Sequence, residues 1–288
     1  MQVNAHPSND DTDAENDAKA SVNNLNDLTG KEWVYALRSV ITTRYPTRGP
    51  ESYAHDLRRV HPSPKPPQLM AEFVRFFTKR HGHVLDPFAG VGGTLLACAM
   101  EHRTCVGIDL SPTYKPVYIN VCERLTLDPQ PYIIGDARAL ATFPEVAATP
   151  FDLILTDPPY AGMMAKRKTG QRKKQGNAAA TPFTMSNDDL GNLDYGAFLS
   201  ALHTIIGNAL PYLKPKGHVI LFTKDLQPTT LHHNMLHADI TAKLRDILEF
   251  RGYRIWHDQS SNLYPFGYPY AFVSNQQHQF VLIFRHMP

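Results

Sequence analysis

Cysteine is scarce in this 288-residue chain, and long apolar runs are missing. Cys98, Cys105 and Cys122 show no Cys-x-x-Cys spacing, and each falls inside an apolar segment. A disulfide framework is thereby excluded and a thiolate metal site disfavoured, so the three read as reduced core thiols of an intracellular, cytoplasmic protein. No apolar stretch approaches the ~18 residues that a membrane-spanning helix needs. The N-terminus, MQVNAHPSNDDTDAEND, has neither a basic start nor an apolar core, so no secretory signal is expected. Histidine is plentiful, with His232, His233 and His237 close together. They lack cysteine or carboxylate partners at ligand spacing, so no metal is expected.

What the chain does hold is a globular share of apolar residues, 42%, and 23 prolines, more than a helical bundle would tolerate. Its net charge of +2 conceals an asymmetry: residues 1–27 carry six acids and one lysine, leaving 28 basic against 21 acidic residues in the remainder. A basic body suits a polyanionic partner. Residues 1–29 lack apolar periodicity and are expected to form a disordered acidic leader. Residues 30–288 are expected to form a single domain, opening with an extended, Pro- and Arg-rich lead-in to residue 66.

From Pro67 the pattern becomes regular. Leu69, Phe73, Phe76 and Phe77 follow helical spacing, with a stop at His81-Gly82. Short apolar strands at Val84-Leu85, Thr104–Ile108, Tyr132–Ile134 and Phe151–Leu155 alternate with helical segments at Leu95–Met100 and Tyr118–Leu125. Such alternation gives βαβ units and an α/β fold around a mostly parallel sheet. After Tyr160 regularity lapses over residues 161–193, a stretch that holds six basic residues, Lys166, Arg167, Lys168, Arg172, Lys173 and Lys174. A loop of that length is functional or disordered. A helix near Tyr195–Leu213, a Lys-Pro-Lys-Gly turn, a strand at His218–Phe222, a helix at Ile240–Phe250 and strands at Arg254–Trp256 and Phe280–Phe284 complete the pattern.

Three strand ends carry chemistry. The first is Asp86-Pro87-Phe88-Ala89-Gly90-Val91-Gly92-Gly93-Thr94, between a strand and a helix. Glycines there let a ligand approach the backbone at a helix N-terminus. Asp109, nineteen residues beyond Gly90 at the end of the next strand, suits the two hydroxyls of a ribose. The second is Asp136, which either accepts from an adenine amino group or caps the next helical turn. The third is Asp157-Pro158-Pro159-Tyr160. Its two prolines fix the backbone and remove its donors, leaving a rigid row of acceptors beside an aromatic ring. That row suits an exocyclic amine with two N–H groups, with Tyr160 stacking on the base through its ring alone. Lys224-Asp225 and the aromatic segment Tyr264–Phe272 are further candidates, with Phe266 or Tyr268 contacting a flipped base as a minority reading.

Together, the Gly-rich segment from Asp86 and the Asp157-Pro-Pro-Tyr160 motif resemble the S-adenosylmethionine-dependent methyltransferases that act on exocyclic amines of nucleic-acid bases. His61-Pro-Ser-Pro-Lys65-Pro66 resembles that family's element closing over the methionine end of the cofactor, which brings in Lys65. The resemblance spans residues 58–285. It implies a Rossmann-like class I methyltransferase fold, seven-stranded, with an antiparallel C-terminal hairpin. It also implies S-adenosylmethionine as cofactor and double-stranded DNA as the partner, the basic loop serving target recognition. Asp at position 157 resembles adenine-N6 enzymes more than cytosine-N4 ones. A guanine-N2 enzyme of structured RNA and a catalytically silent partner of another methyltransferase remain alternatives. The chain shows no room for a large target-recognition domain, and its oligomeric state is not legible.

Overall fold

In a computed structural model, residues 23–160, 184–225 and 235–287 are described. Their strands are β1 (Val40–Thr43), β2 (His83–Asp86), β3 (Thr104–Asp109), β4 (Tyr132–Ile134), β5 (Phe151–Thr156), β6 (Leu213–Thr223), β7 (Glu249–Asp258) and β8 (His278–Arg285). All eight join one sheet in the order β1-β7-β8-β6-β5-β2-β3-β4. Every neighbouring pair is parallel except those of β8, which runs against both β6 and β7.

The apolar strand cores are continuous because both faces of the sheet are covered. Val84, Leu153, Leu155, Ile220, Phe222 and Val281 pack with the helices Pro67–Phe77, Gly93–Met100 and Tyr114–Leu125. Their alternating neighbours Leu85, Ile154, Val219, Leu221 and Leu282 pack with the helices Tyr195–Ala209 and Leu236–Leu244. All three cysteines are free and buried, on the first of these faces or in the strand beneath it.

Several local expectations need correcting. The sheet has eight strands where seven were expected, because β1 adds Val40–Thr43 alongside Ile255–Asp258 of β7. Four residues are too few for an alternating pattern to stand out from an extended lead-in. The helix from Pro67 stops at Phe77, where the Thr78 hydroxyl donates to the Val74 carbonyl at 2.6 Å. Lys-Pro-Lys-Gly does not separate helix from strand; it is a bulge inside β6. The pairing slips there from Phe151–Leu213 to Leu153–His218, and Lys216 takes a φ of +67°. The helix expected at Ile240–Phe250 lies earlier, at Leu236–Leu244, and β7 begins at Glu249.

The ordered chain also reaches back into the expected leader. Asn26 is buried and its Nδ2 donates to the Phe76 carbonyl at 2.6 Å. Asp27 accepts from the Arg80 backbone N–H at 2.6 Å, and Thr29 and Glu32 form a reciprocal cap on the helix Gly30–Ala36. Residues 1–22 lie outside the described residues, as does the basic cluster Lys166, Arg167, Lys168, Arg172, Lys173 and Lys174. Among the described residues, no helix is long and apolar enough to cross a membrane.

Asn26→Ala should lower the unfolding free energy by about 1–3 kcal/mol, because it strands a buried carbonyl at the end of a core helix. Urea denaturation of parent and variant measures this. An unchanged midpoint would detach residues 23–29 from the fold.

Candidate active site

Because β2 through β6 are mutually parallel, their C-terminal ends meet along one edge of the sheet, where ligands of open α/β folds bind. Asp86, Asp109, Asp136 and Asp157 all stand at that edge, each at or just beyond a strand end. Four carboxylates meeting at one edge must each be given donors or counter-charge, and the structure does this differently for each.

Asp86 is buried and acts as a brace. Its Oδ1 accepts from the Phe88 N–H at 3.1 Å and the Thr156 hydroxyl at 2.6 Å, tying the Gly-rich turn to the end of β5. Burial pushes its carboxyl up to about 6, against the lowering effect of the bonds from Thr156, Thr94 and Phe88. Asp109 fixes the same turn from the other side: Oδ2 accepts from the Gly90 N–H and Oδ1 from the Ser111 N–H, both at 2.8 Å. Burial raises Asp109 to about 6 as well, and the negative charge of Asp189 adds to the effect.

The turn needs its glycines for two different reasons. At Gly90 (φ +49°) a Cβ would sit 3.3 Å from His61 Nε2, whereas at Gly92 (φ +80°) it would sit 2.3 Å from the Tyr118 ring. Gly92 is therefore a packing position under Tyr118, and Gly90 borders the cavity. The Tyr132 hydroxyl, donating to the Gly90 carbonyl at 2.6 Å, completes the clamp.

Asp157 is the hub. Its Oδ2 is ion-paired with Lys65 Nζ, and its Oδ1 accepts from the Tyr160 hydroxyl at 2.8 Å. Lys65 is held in turn by buried Arg58, whose guanidinium donates to the carbonyls of Lys65 (3.0 Å), Tyr53 (2.9 Å) and Ser52 (3.1 Å). Tyr160 is buried within the apolar cluster that includes Leu190 and Phe198, and burial raises its hydroxyl well above the usual range. Its hydroxyl thus has a partner, which corrects the expectation that only the ring matters.

Two adjoining cavities divide the remaining predicted residues. The larger is lined by Pro87, Phe88, Asp109, Asp136, Asp157, Pro158, Pro159 and Tyr160. A smaller one is bounded by Lys65, Asp86, Phe88, Gly90, Thr94 and Asp157. Asp136 caps the turn Ala137–Thr142 through the Arg138 N–H at 2.9 Å, and it also lines the larger cavity. The Arg138 guanidinium pairs with it at 2.7 Å and with Asp188 at 2.8 Å.

Sequence reasoning missed Tyr114 and Asp189, and it took His61 only as part of the His61-Pro-Ser-Pro-Lys65-Pro66 element. His61 lies against Tyr114 (ring centroids 5.0 Å apart) and lines both cavities. Burial first, then the Lys65 charge, pulls its imidazole down to about 4. Its place at the head of His61-Pro-Ser-Pro-Lys65 was the available signal; nothing in the sequence pointed to Asp189. Lys224, an expected candidate, faces the larger cavity, while Asp225 is turned to His237 at 2.8 Å. Phe266 and Tyr268 are exposed on the β7–β8 connection, which leaves from the same edge of the sheet. Among the described residues no group of His, Cys, Asp or Glu could hold a metal ion.

Residues 4–120 match a family model described as DNA methylase. The chain is 39% identical over 56 residues to YubD of Escherichia coli (strain K12), a segment covering 19% of this chain and 25% of that protein. It is 38% identical over 55 residues to the type II methyltransferase M.Cfr9I of Citrobacter freundii, covering 19% and 18%. The matched segments thus span a quarter or less of these relatives. The fold is similar to that of TrmN from Thermus thermophilus, with a TM-score of 0.52 and 17% identity over 84% of this chain and 55% of that one. The architecture is the Rossmann-like class I methyltransferase fold, here widened by β1.

The raised carboxyls set a pH dependence. A folded-state aspartic acid that titrates near 6, against 3.8 in the open chain, contributes stability that is fully present below about 3.8 and is lost as pH rises through about 6. Asp109→Asn should remove its share. The parent should lose more stability than the variant between pH 4 and 6.5, by about 2 kcal/mol, in paired urea titrations. Parallel pH profiles would show that Asp109 titrates normally.

Proposed function

We propose that this chain, whose residues 4–120 match a DNA methylase family model, methylates an exocyclic amino nitrogen of a base in double-stranded DNA, with S-adenosylmethionine as the donor. The observation that carries this reading is Asp157: a carboxylate just beyond the end of β5, followed by the Pro158 carbonyl, opening on a cavity that Asp109 also lines. Asp at this position favours adenine N6 over cytosine N4.

The residues present fit the cofactor. Asp109 stands where a ribose would need an acceptor, and Phe88, Tyr114 and Leu190 give apolar walls beside Asp136. The small cavity at Lys65, Gly90 and Thr94 suits a short zwitterionic tail. Gly90 borders it, and a Cβ at that position would press on His61 at 3.3 Å. When bound, the cofactor supplies an electrophilic methyl group on a sulfonium.

The chain's own work is positioning. An aromatic amine is a poor nucleophile because its lone pair is delocalised into the ring. Acceptors at Asp157 and Pro158 orient its two hydrogens so that the lone pair can turn toward the methyl group. The Asp157 carboxylate also stabilises the positive charge that develops on nitrogen. Tyr160 and Lys65 hold the carboxylate from two sides, so little reorganisation is needed as charge builds. A base inside a duplex must be rotated out to reach this edge. Lys166, Arg167, Lys168, Arg172, Lys173 and Lys174 are the groups proposed to hold the phosphates around it.

Three measurements test this reading. Asp157→Ala should lower single-turnover methylation by ~10²-fold or more, with Asp157→Asn retaining more activity because it keeps an oxygen acceptor. Tyr160→Phe should cost about tenfold, since it removes the donor to Asp157. A parental rate in Asp157→Ala would sink the assignment. Asp109→Ala should weaken cofactor binding by about 1–3 kcal/mol in calorimetry, and unchanged affinity would remove it from the site. Replacing three of the six loop cations should reduce the slope of log affinity against log salt on duplex DNA by up to ~3 units. An identical slope would place the phosphate contacts elsewhere.

A further inference from the structure

A second polar cavity of about 360 Å³ lies on the other side of Lys65, over the ends of β6 and β7 and the start of β8. Its wall includes Gln68, Gln279, Lys224 and Trp256, and it shares Lys65, Lys224 and Gln279 or their neighbours with the cavities at Asp157. Three side-chain atoms of its wall are buried without a hydrogen-bond partner: the Tyr45 hydroxyl and the Oε1 atoms of Gln68 and Gln279. The Gln68 amide cannot simply turn over. Its Nε2 donates to the Glu51 carbonyl at 2.6 Å, and exchanging the two ends would set oxygen against oxygen.

A buried amide oxygen without a donor costs free energy that a bound N–H recovers. Lys224 brings the opposite character: burial, aided by the Lys65 charge, pulls its ammonium below the usual range, and it faces both cavities. Trp256 is buried in the same wall, its Nε1 already donating to the Thr43 hydroxyl at 2.9 Å. What remains to it is an aromatic surface. A ligand matching this wall carries N–H donors and lone-pair acceptors on one flat frame, as an amino-bearing nucleobase does.

We propose that Gln68 and Gln279 are specificity-determining residues that read the target base, with Lys224 supplying a donor to one of its ring or carbonyl acceptors. This rests on the methyl-transfer reading above. Lys224 and Gln279 line both this cavity and the one on which Asp157 opens, so a base held between them has its amino group directed toward the end of β5. Neither glutamine belongs to a motif, which is why their roles emerge only when the helix start at Pro67 and the first residues of β8 are brought together.

The experiment compares the parent with Gln279→Met and Gln68→Met on three oligonucleotide duplex sets that offer adenine, cytosine or guanine as the only unmodified amino base. In each variant kcat/KM on the preferred base should fall about tenfold, the preference among bases should narrow, and cofactor affinity should stay at the parental value. Because Gln279 Oε1 is unpartnered in the free protein, Gln279→Met should keep or raise the melting temperature while losing rate. A fall in stability with an unchanged base preference would make the residue structural and overturn the proposal. Parental rates and preference in both variants would overturn it too, with methyl transfer itself intact. A parent inactive on all three sets would overturn the methyl-transfer reading, and this one with it.

Discussion

The pairing of Lys65 with Asp157 is the contact on which the edge of this sheet depends. The two residues are 92 apart in sequence, and both side chains are largely withdrawn from water. A buried carboxylate needs compensation, and this one receives an ammonium on one oxygen and a tyrosine hydroxyl on the other. Lys65 is itself fixed by Arg58, which spends its guanidinium on three backbone carbonyls and makes no ion pair among the described residues. Burial pulls Arg58 down to about 10, still charged at neutral pH, so a buried cation stands behind the pair and stiffens the lead-in that carries Lys65.

The same logic extends along the strand ends. Asp86 and Asp109 are clamped by backbone N–H groups and hydroxyls instead of cations, and burial leaves both near 6. Asp136 keeps a counter-charge, Arg138, that is shared with Asp188. Fixed carboxylate acceptors therefore line one edge of the sheet. An electrophilic, positively charged donor and a weakly nucleophilic amine both need such acceptors, the first for binding and the second for orientation. Asp109, Asp136 and Asp157 line one cavity together, and Asp86 and Asp157 border the smaller one beside it.

The same edge continues into the strand and lead-in at the N-terminal side of the sheet. β1 extends the sheet beyond β7, and the lead-in behind it brings Tyr45, Ser52, Arg58 and Lys65 over the strand ends. The second polar cavity is the space left between this lead-in and the β7–β8 connection.

The sequence by itself determined the class of the fold, the segments that form its parallel strands and the carboxylates at their ends. It could do so because these follow from local rules: apolar runs short enough to be strands, glycines where a strand turns into a helix, and prolines that stiffen the turn after Asp157. Asp86, Asp109, Asp136 and Asp157 were legible for that reason. Only the tertiary structure decided which acceptor was paired with what. The Tyr160 hydroxyl on Asp157, Gly92 under Tyr118 and Asn26 on the Phe76 carbonyl depend on distances between segments far apart in the chain. The bulge in β6 and the pairing of β1 with β7 were also hidden, because a strand of four residues or a slipped register carries no periodicity of its own. Gln68 and Gln279 show the limit most clearly. Each is an ordinary glutamine in its own segment, and only the packing of a helix start against a strand start turns both into buried acceptors that face one cavity.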